Sequence, residues 1–262
     1  MSNRINDAFN KAKDRKVMSL FVTAGYPTIV DSADLILGCV RSGADLIELG
    51  MPFSDPLADG PTIQESSNVA IANGTNMSVI FDIVREVRRH SEVPIILMGY
   101  INPIIKYGIE AFCSESASAG VDGFIIPDLP ADEHAMVSQF SDSLGISMIH
   151  LVAPNTSDER MRMVDGLSNG FVYCVSVTGV TGARDGQQVS DSVNTFIDRV
   201  NANVTQNPVL VGFGIKSRED AQRIAAKVDG FIVGSALIQA IASNYPNSDW
   251  KNQVYKFVES LR

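Results

Sequence analysis

Histidine, cysteine and tryptophan are scarce in this chain of 262 residues: three His, three Cys and one Trp. His90, His134 and His150 include no pair at zinc-ligand spacing, so a His/Cys metal centre is not expected. Cys39, Cys113 and Cys174 are odd in number, far apart and set among small or apolar neighbours. They read as reduced, buried thiols rather than a disulfide framework, which fits a cytoplasmic protein. No apolar run approaches the roughly eighteen residues a membrane helix needs. The segment Met1–Asp7 lacks the apolar core of a secretory signal. Positive charge is also short, with 21 Lys and Arg against 30 Asp and Glu and a net charge of -9. The basic residues are scattered, so neither nucleic acid nor membrane is an expected partner.

What is present is apolar and periodic. Hydrophobic residues make up 45% of the chain, and surface scaling gives roughly 11,000 Å² folded against about 41,000 Å² unfolded, enough for one large core. Short β-branched runs recur at Ser19–Val22, Asp45–Leu49, Ile95–Met98, Gly123–Ile126, Ser147–Ile149, Phe171–Val175, Val209–Val211 and Gly230–Val233. Continuous apolar runs of this length read as strands buried on both faces, the mark of a parallel sheet. Between them lie helical periods such as Ala33-Leu35-Ile36-Val40 and Val193-Phe196-Ile197-Val200. Eight strands alternating with helices predict an α/β fold, a (β/α)8 TIM barrel, with residues 1–262 as a single catalytic domain. Ile5–Lys13 reads as an extra N-terminal helix and Trp250–Leu261 as another beyond the barrel. The interval after the second strand has room for two helices, Gln64–Ala72 and Met77–His90, and the interval after the sixth is also long. Loops after strands gather at the C-terminal mouth, where barrels of this kind place their chemistry.

The second strand points a carboxylate inward. Alternation puts Leu46 and Glu48 on one face and Ile47 and Leu49 on the other. Ile47 and Leu49 suit the helix-facing layer, so Glu48 falls in the lumen, near the C-terminal end. Burial raises a carboxyl pKa, and an acid held near neutrality can both give and accept a proton. The loop that follows, Gly50–Pro61, carries Asp59-Gly60-Pro61. That tripeptide is equally a turn with Pro at a helix start, but the same loop returns from Glu48 and brings a second carboxylate to the mouth.

Glycine marks three other loops. Gly179-Val180-Thr181-Gly182 follows the sixth strand, Gly212-Phe213-Gly214 ends the seventh, and Gly234-Ser235 ends the eighth and opens a helix. Glycine allows close backbone approach, and a helix start offers free N–H groups, so the three together predict a phosphate site. Lys216 and Arg184 stand near enough in sequence to assist. Every lysine (Lys11, Lys13, Lys16, Lys106, Lys216, Lys227, Lys251, Lys256) falls outside the strand runs, which disfavours a Schiff-base aldolase. The missing His cluster disfavours a metal aldolase or epimerase, and no dinucleotide fingerprint opens the first unit. Acid–base chemistry on a phosphorylated substrate with its own electron sink is what remains.

These motifs resemble the tryptophan synthase alpha subunit family. Glu48-Leu49-Gly50 with Pro52–Pro61 carries the resemblance most specifically; Phe21–Pro27, Asn102-Pro103, Tyr173, Gly179–Gly182 and Gly212–Ile215 extend it from about Phe21 to Ser235. The resemblance implies retro-aldol cleavage of indole-3-glycerol phosphate to indole and D-glyceraldehyde 3-phosphate. It implies Glu48 as general acid/base, Asp59 as partner of the indole N–H, and Tyr173 as a further catalytic candidate. Phosphate would rest on Gly182, Gly212, Gly214, Gly234 and Ser235. Phe21, Met98, Tyr100, Leu129 and Ile232 would form the indole pocket, and Thr181 and Arg184 belong to a mobile loop. No cofactor is implied in this chain; pyridoxal phosphate belongs to a beta subunit, joined in an alpha2-beta2 heterotetramer through Asp55, Pro56, Asn102, Asp128 and Pro130. A free-standing lyase, a non-catalytic regulatory subunit and another phosphosugar barrel enzyme such as an epimerase are the competing readings, the last disfavoured by the missing metal ligands. Met51, where the family often has Ile, Val or Gly, and Gly99 beside the pocket strand are the departures.

Overall fold

Short runs apolar on both faces become parallel strands. The computed structural model describes residues 4–175, 186–212 and 214–262, with backbone alone for 186–192. Its strands are β1 (Val17–Thr23), β2 (Leu46–Gly50), β3 (Ile95–Met98), β4 (Gly123–Ile125), β5 (Ser147–Ile149), β6 (Leu151–Val152), β7 (Val172–Val175), β8 (Val209–Gly212) and β9 (Gly230–Val233). Every registered pair is parallel, and the ladder runs from β5 through β1 and round to β6. The expected fifth strand, Ser147–Ile149, is β5, and a further short strand, β6, follows it beyond His150. There the N–H donates to Ser168 Oγ at 3.3 Å instead of joining the ladder, while the carbonyl accepts from Tyr173 N at 3.0 Å. β5 pairs with β4 and β6 with β7, so the two together occupy one strand position and the barrel counts eight.

Twelve α-helices lie among the described residues: α1 (Arg4–Lys11), α2 (Ile29–Arg41), α3 (Pro61–Ala72), α4 (Met77–Arg88), α5 (Ile101–Tyr107), α6 (Ile109–Ala119), α7 (Ala135–Ser141), α8 (Asp158–Leu167), α9 (Gly186–Asn203), α10 (Arg218–Ile224), α11 (Ser235–Asn244) and α12 (Trp250–Ser260). Side-chain caps fix several starts: Thr28 accepts from Asp31 N, Asn76 from Val79 N, Ser157 from Arg160 N and Ser217 from Asp220 N. Both helices expected after the second strand are present, and α3 starts earlier than its apolar period suggests because Pro61 sits at its first position.

Alternation along the strands divides the core into two layers. Ile47, Leu49, Leu97, Phe124 and Val211 pack outward against helices, whereas Leu46, Ile96, Ile125, Ile149, Phe171 and Leu210 fill the lumen. The N-terminal helix closes the bottom, as its position in the sequence suggests. Ile5 and Ala8 of α1 join the lumen cluster, and the ring of Phe9 lies 6.3 Å from that of Phe171. Ion pairs tie this end together: Asp122 takes Arg4 at 3.0 Å and Arg88 at 2.5 Å, and Asp45 takes Arg15 at 2.6 Å and Arg262 at 2.5 Å. The opposite end is left to loops.

Candidate active site

Glu48 stands in the lumen on β2, fully buried, with Phe21 of β1 and Ile96 of β3 in register beside it. Ser19 Oγ donates to its Oε1 at 2.7 Å. Its Oε2 is buried with no hydrogen-bond partner among the described residues. Two effects oppose each other: burial penalises the charge, and the serine stabilises it. Burial wins, and the carboxyl is pushed up to about 7 from an ordinary 4.5. Such a group is both a competent acid and a competent base at neutral pH.

The loop after β2 brings Asp59 over this acid's end of the barrel. Tyr100 Oη donates to Asp59 Oδ2 at 3.0 Å and accepts from Ala58 N at 2.9 Å, so one phenol clamps the loop twice. Gln64 Nε2 binds the Asp59 carbonyl at 2.9 Å. Gly60 caps α3 and Pro61 opens it; the tripeptide is thus a helix start that also presents its aspartate. Burial raises the Asp59 carboxyl more than Tyr100 lowers it. Tyr173, on β7, is held well above the ordinary tyrosine value, first by burial and then by the charges of Glu48 and Asp59. It is therefore a protonated donor at neutral pH and not a base. Its hydroxyl needs the bare backbone at Gly212, where a Cβ would lie 2.7 Å from Oη.

A cavity of about 400 Å³ opens at this end. Phe21, Met98, Leu151, Tyr173 and Ile232 line it along with Asp59, Ile63 and Pro127. Gly212, Gly214, Lys216, Gly234, Ser235 and Ala236 also line it. In α11 the first amides bonded within the helix belong to Leu237 and Ile238, both donating to Gly234 O, which leaves those of Ser235 and Ala236 ahead of them at the cavity edge. The volume suits a small, partly apolar ligand. A second hollow, about 500 Å³, lies at the closed end among Arg4, Asp7, Lys11, Arg15, Asp45 and Glu92. Several of its charges already pair with one another, as in Arg4–Glu92 and Arg15–Asp45.

Of the residues expected in an aromatic pocket, Phe21, Met98 and Ile232 line the cavity. Tyr100 stands in a side recess with Asp59 and Met51. Leu129 is buried in the apolar core and is not among the residues lining the cavity. Gly212, Gly214, Gly234 and Ser235 line the same cavity, whereas Thr181, Gly182 and Arg184 lie outside the described residues. Met51 and Gly99 prove complementary, since a Cβ at 99 would sit 2.8 Å from Met51 Cε. Sequence reasoning missed the Ser19 hydroxyl, although a lone serine within an apolar strand run was visible. It also missed the contact of His134 Nδ1 with His150 Nε2 at 2.8 Å. Burial and the neighbouring His134 charge push His150 down to about 4.

A buried acid near neutrality, a second carboxylate and a rim of open amides define an enzyme of the acid–base barrel class. A family model described as tryptophan synthase alpha chain matches residues 8–261. The tryptophan synthase alpha chain of Christiangramia forsetii is 44% identical over 261 residues, covering 99% of this chain and 98% of the relative; that of Thermoanaerobacter sp. is 44% identical over 262 residues, with 99% and 98% covered. Among solved structures, tryptophan synthase subunit alpha from Legionella pneumophila superposes with a TM-score of 0.89 at 35% identity, covering 100% of this chain and 97% of the other. The chain belongs to the tryptophan synthase alpha chain family. It is a carbon–carbon lyase that cleaves indole-3-glycerol phosphate to indole, and it works in complex with a beta subunit. In this family the alpha chain needs no cofactor of its own, and pyridoxal phosphate resides on the beta subunit.

Proposed function

We propose that Glu48 carries one proton through the whole cleavage. It begins neutral, gives its proton to the third carbon of the indole ring, and becomes a carboxylate. The resulting indolenium cation draws electrons from the carbon–carbon bond, while the glycerol hydroxyl beside that bond yields its proton to the same carboxylate. Bond breaking restores the indole, forms the aldehyde of glyceraldehyde 3-phosphate and leaves Glu48 neutral again, so protons balance. Asp59 accepts the indole N–H and stabilises the cation; Tyr173 remains protonated and donates a hydrogen bond. Amides at Gly212, Gly214, Gly234 and Ser235, with Gly182, receive the phosphate, and Phe21, Met98 and Ile232 enclose the ring with Tyr100 behind Asp59.

The observation that carries this reading is the fully buried Glu48, its Oε1 held by Ser19 and its Oε2 without a partner among the described residues. Glu48→Gln keeps the shape and removes the transferable proton, so lyase turnover should fall by roughly 10²–10⁴. Asp59→Asn should also cripple turnover while glycerol phosphate still binds. An undiminished rate in Glu48→Gln would end the assignment.

The same reading takes residues 1–262 as one catalytic domain acting in the cytoplasm, within an alpha2-beta2 heterotetramer. Among the described residues no helix is long and apolar enough to cross a membrane. Leu57, 96% exposed beside the mouth, supports docking of the beta subunit there, together with the exposed Asp55, Asn102, Asp128 and Pro130. Pro56 is buried in this chain, and Asp128 Oδ1 also accepts from Ile101 N at 2.9 Å, holding the start of α5.

A further inference from the structure

We propose that Ser19 is a positioning residue for the cleavage: its hydroxyl holds Oε1 of Glu48 and so confines the transferable proton to Oε2. The inference rests on Glu48 as the proton carrier and adds the group that orients it. Ser19 interrupts the otherwise apolar run Val17-Met18-Ser19-Leu20-Phe21-Val22 of β1. Its residue is fully buried, in a place where a bare hydroxyl is costly. The hydroxyl donates to Glu48 Oε1 at 2.7 Å, and Glu48 Oε2 has no partner among the described residues.

That asymmetry has a chemical outcome. An oxygen already accepting a hydrogen bond from Ser19 is the carbonyl-like oxygen of the neutral acid, so the acidic hydrogen sits on the other one. After proton transfer the bond to Ser19 remains and stabilises the carboxylate, a charge-assisted contact stronger than a neutral one. Swinging the carboxyl over would break it. The remaining neighbours leave this function to Ser19. Phe21 and Ile96 flank Glu48 in register and are apolar. The Tyr173 hydroxyl feels the Glu48 charge but is held neutral. Asp59 is the carboxylate on the cavity lining and Lys216 the cation there.

Ser19→Ala removes the hydroxyl and leaves a small apolar side chain, which the lumen accommodates. Infrared titration of the ligand-free protein follows the carbonyl stretch of the protonated carboxyl, assigned by its loss in Glu48→Gln. In Ser19→Ala the Glu48 midpoint should rise by about one pH unit. The high-pH limb of kcat should move upward by the same amount. On the low-pH plateau kcat should fall roughly 3–10-fold with KM for indole-3-glycerol phosphate nearly unchanged. Ser19→Thr, which restores the hydroxyl, should return the midpoint and the limb toward native values. A Ser19→Ala protein with native circular dichroism and an unmoved midpoint would overturn the inference. Should Glu48→Gln retain turnover, the proton-carrier reading fails instead, and the infrared midpoint still reports separately whether the serine acts on the carboxyl.

Discussion

Glutamine at position 48 should make the fold more stable than the native protein in alkaline solution and leave it about equal in acid. The native state holds the Glu48 proton up to about 7, whereas an unfolded chain releases it near 4.5. Between those values the unfolded state has lost a proton that the folded state keeps, so native stability declines as pH rises through the window. Below it both states are neutral and above it both are ionised, and this contribution is flat. The separation of the two titrations corresponds to about 3 kcal/mol. Glutamine keeps the volume and the oxygen that accepts from Ser19 but does not titrate. Urea unfolding of both proteins at about pH 4 and about pH 8 should therefore show a stability difference that grows by about 3 kcal/mol, or about 1 M in midpoint. A difference that stays constant across pH would mean that the carboxyl is not kept neutral by burial, and the reasoning about proton transfer would go with it.

Two further substitutions test the surroundings of the acid. Tyr100→Phe deletes the bonds to Asp59 Oδ2 and Ala58 N; kcat/KM should fall by about tenfold, and the low-pH limb belonging to Asp59 should move upward, because Tyr100 lowers that carboxyl. Steady-state kinetics over pH decide it, and an unmoved limb counts against the clamp. Gly212→Ala places a methyl 2.7 Å from Tyr173 Oη; turnover should drop by at least about tenfold, with partial recovery when Tyr173→Phe is added, and no recovery would point to a backbone effect instead.

Much of this molecule can be read from its residues because strands buried on both faces cannot hide. The runs at Ile95–Met98, Ser147–Ile149 and Gly230–Val233 are all strands of the barrel, and alternation alone turns Glu48 inward. The unread parts depend on partners distant in sequence. Ser19 and Glu48 meet across two strands; Tyr100 reaches Asp59 across separate loops; His134 and His150 come together although no local spacing joins them. The division of the fifth strand turns on a side chain too, since Ser168 competes for the His150 amide.

The filled lumen beneath the catalytic end has one more consequence. Among the described residues, Leu46, Ile96, Ile125, Phe171 and Leu210 fill the lumen with apolar side chains, so on the proposed path the acid exchanges its proton through the end that its guest occupies. On the proposed path, the hydrogen stripped from one guest stays behind when the aldehyde forms and is handed to the aromatic carbon of the next, unless solvent washes it out between visits.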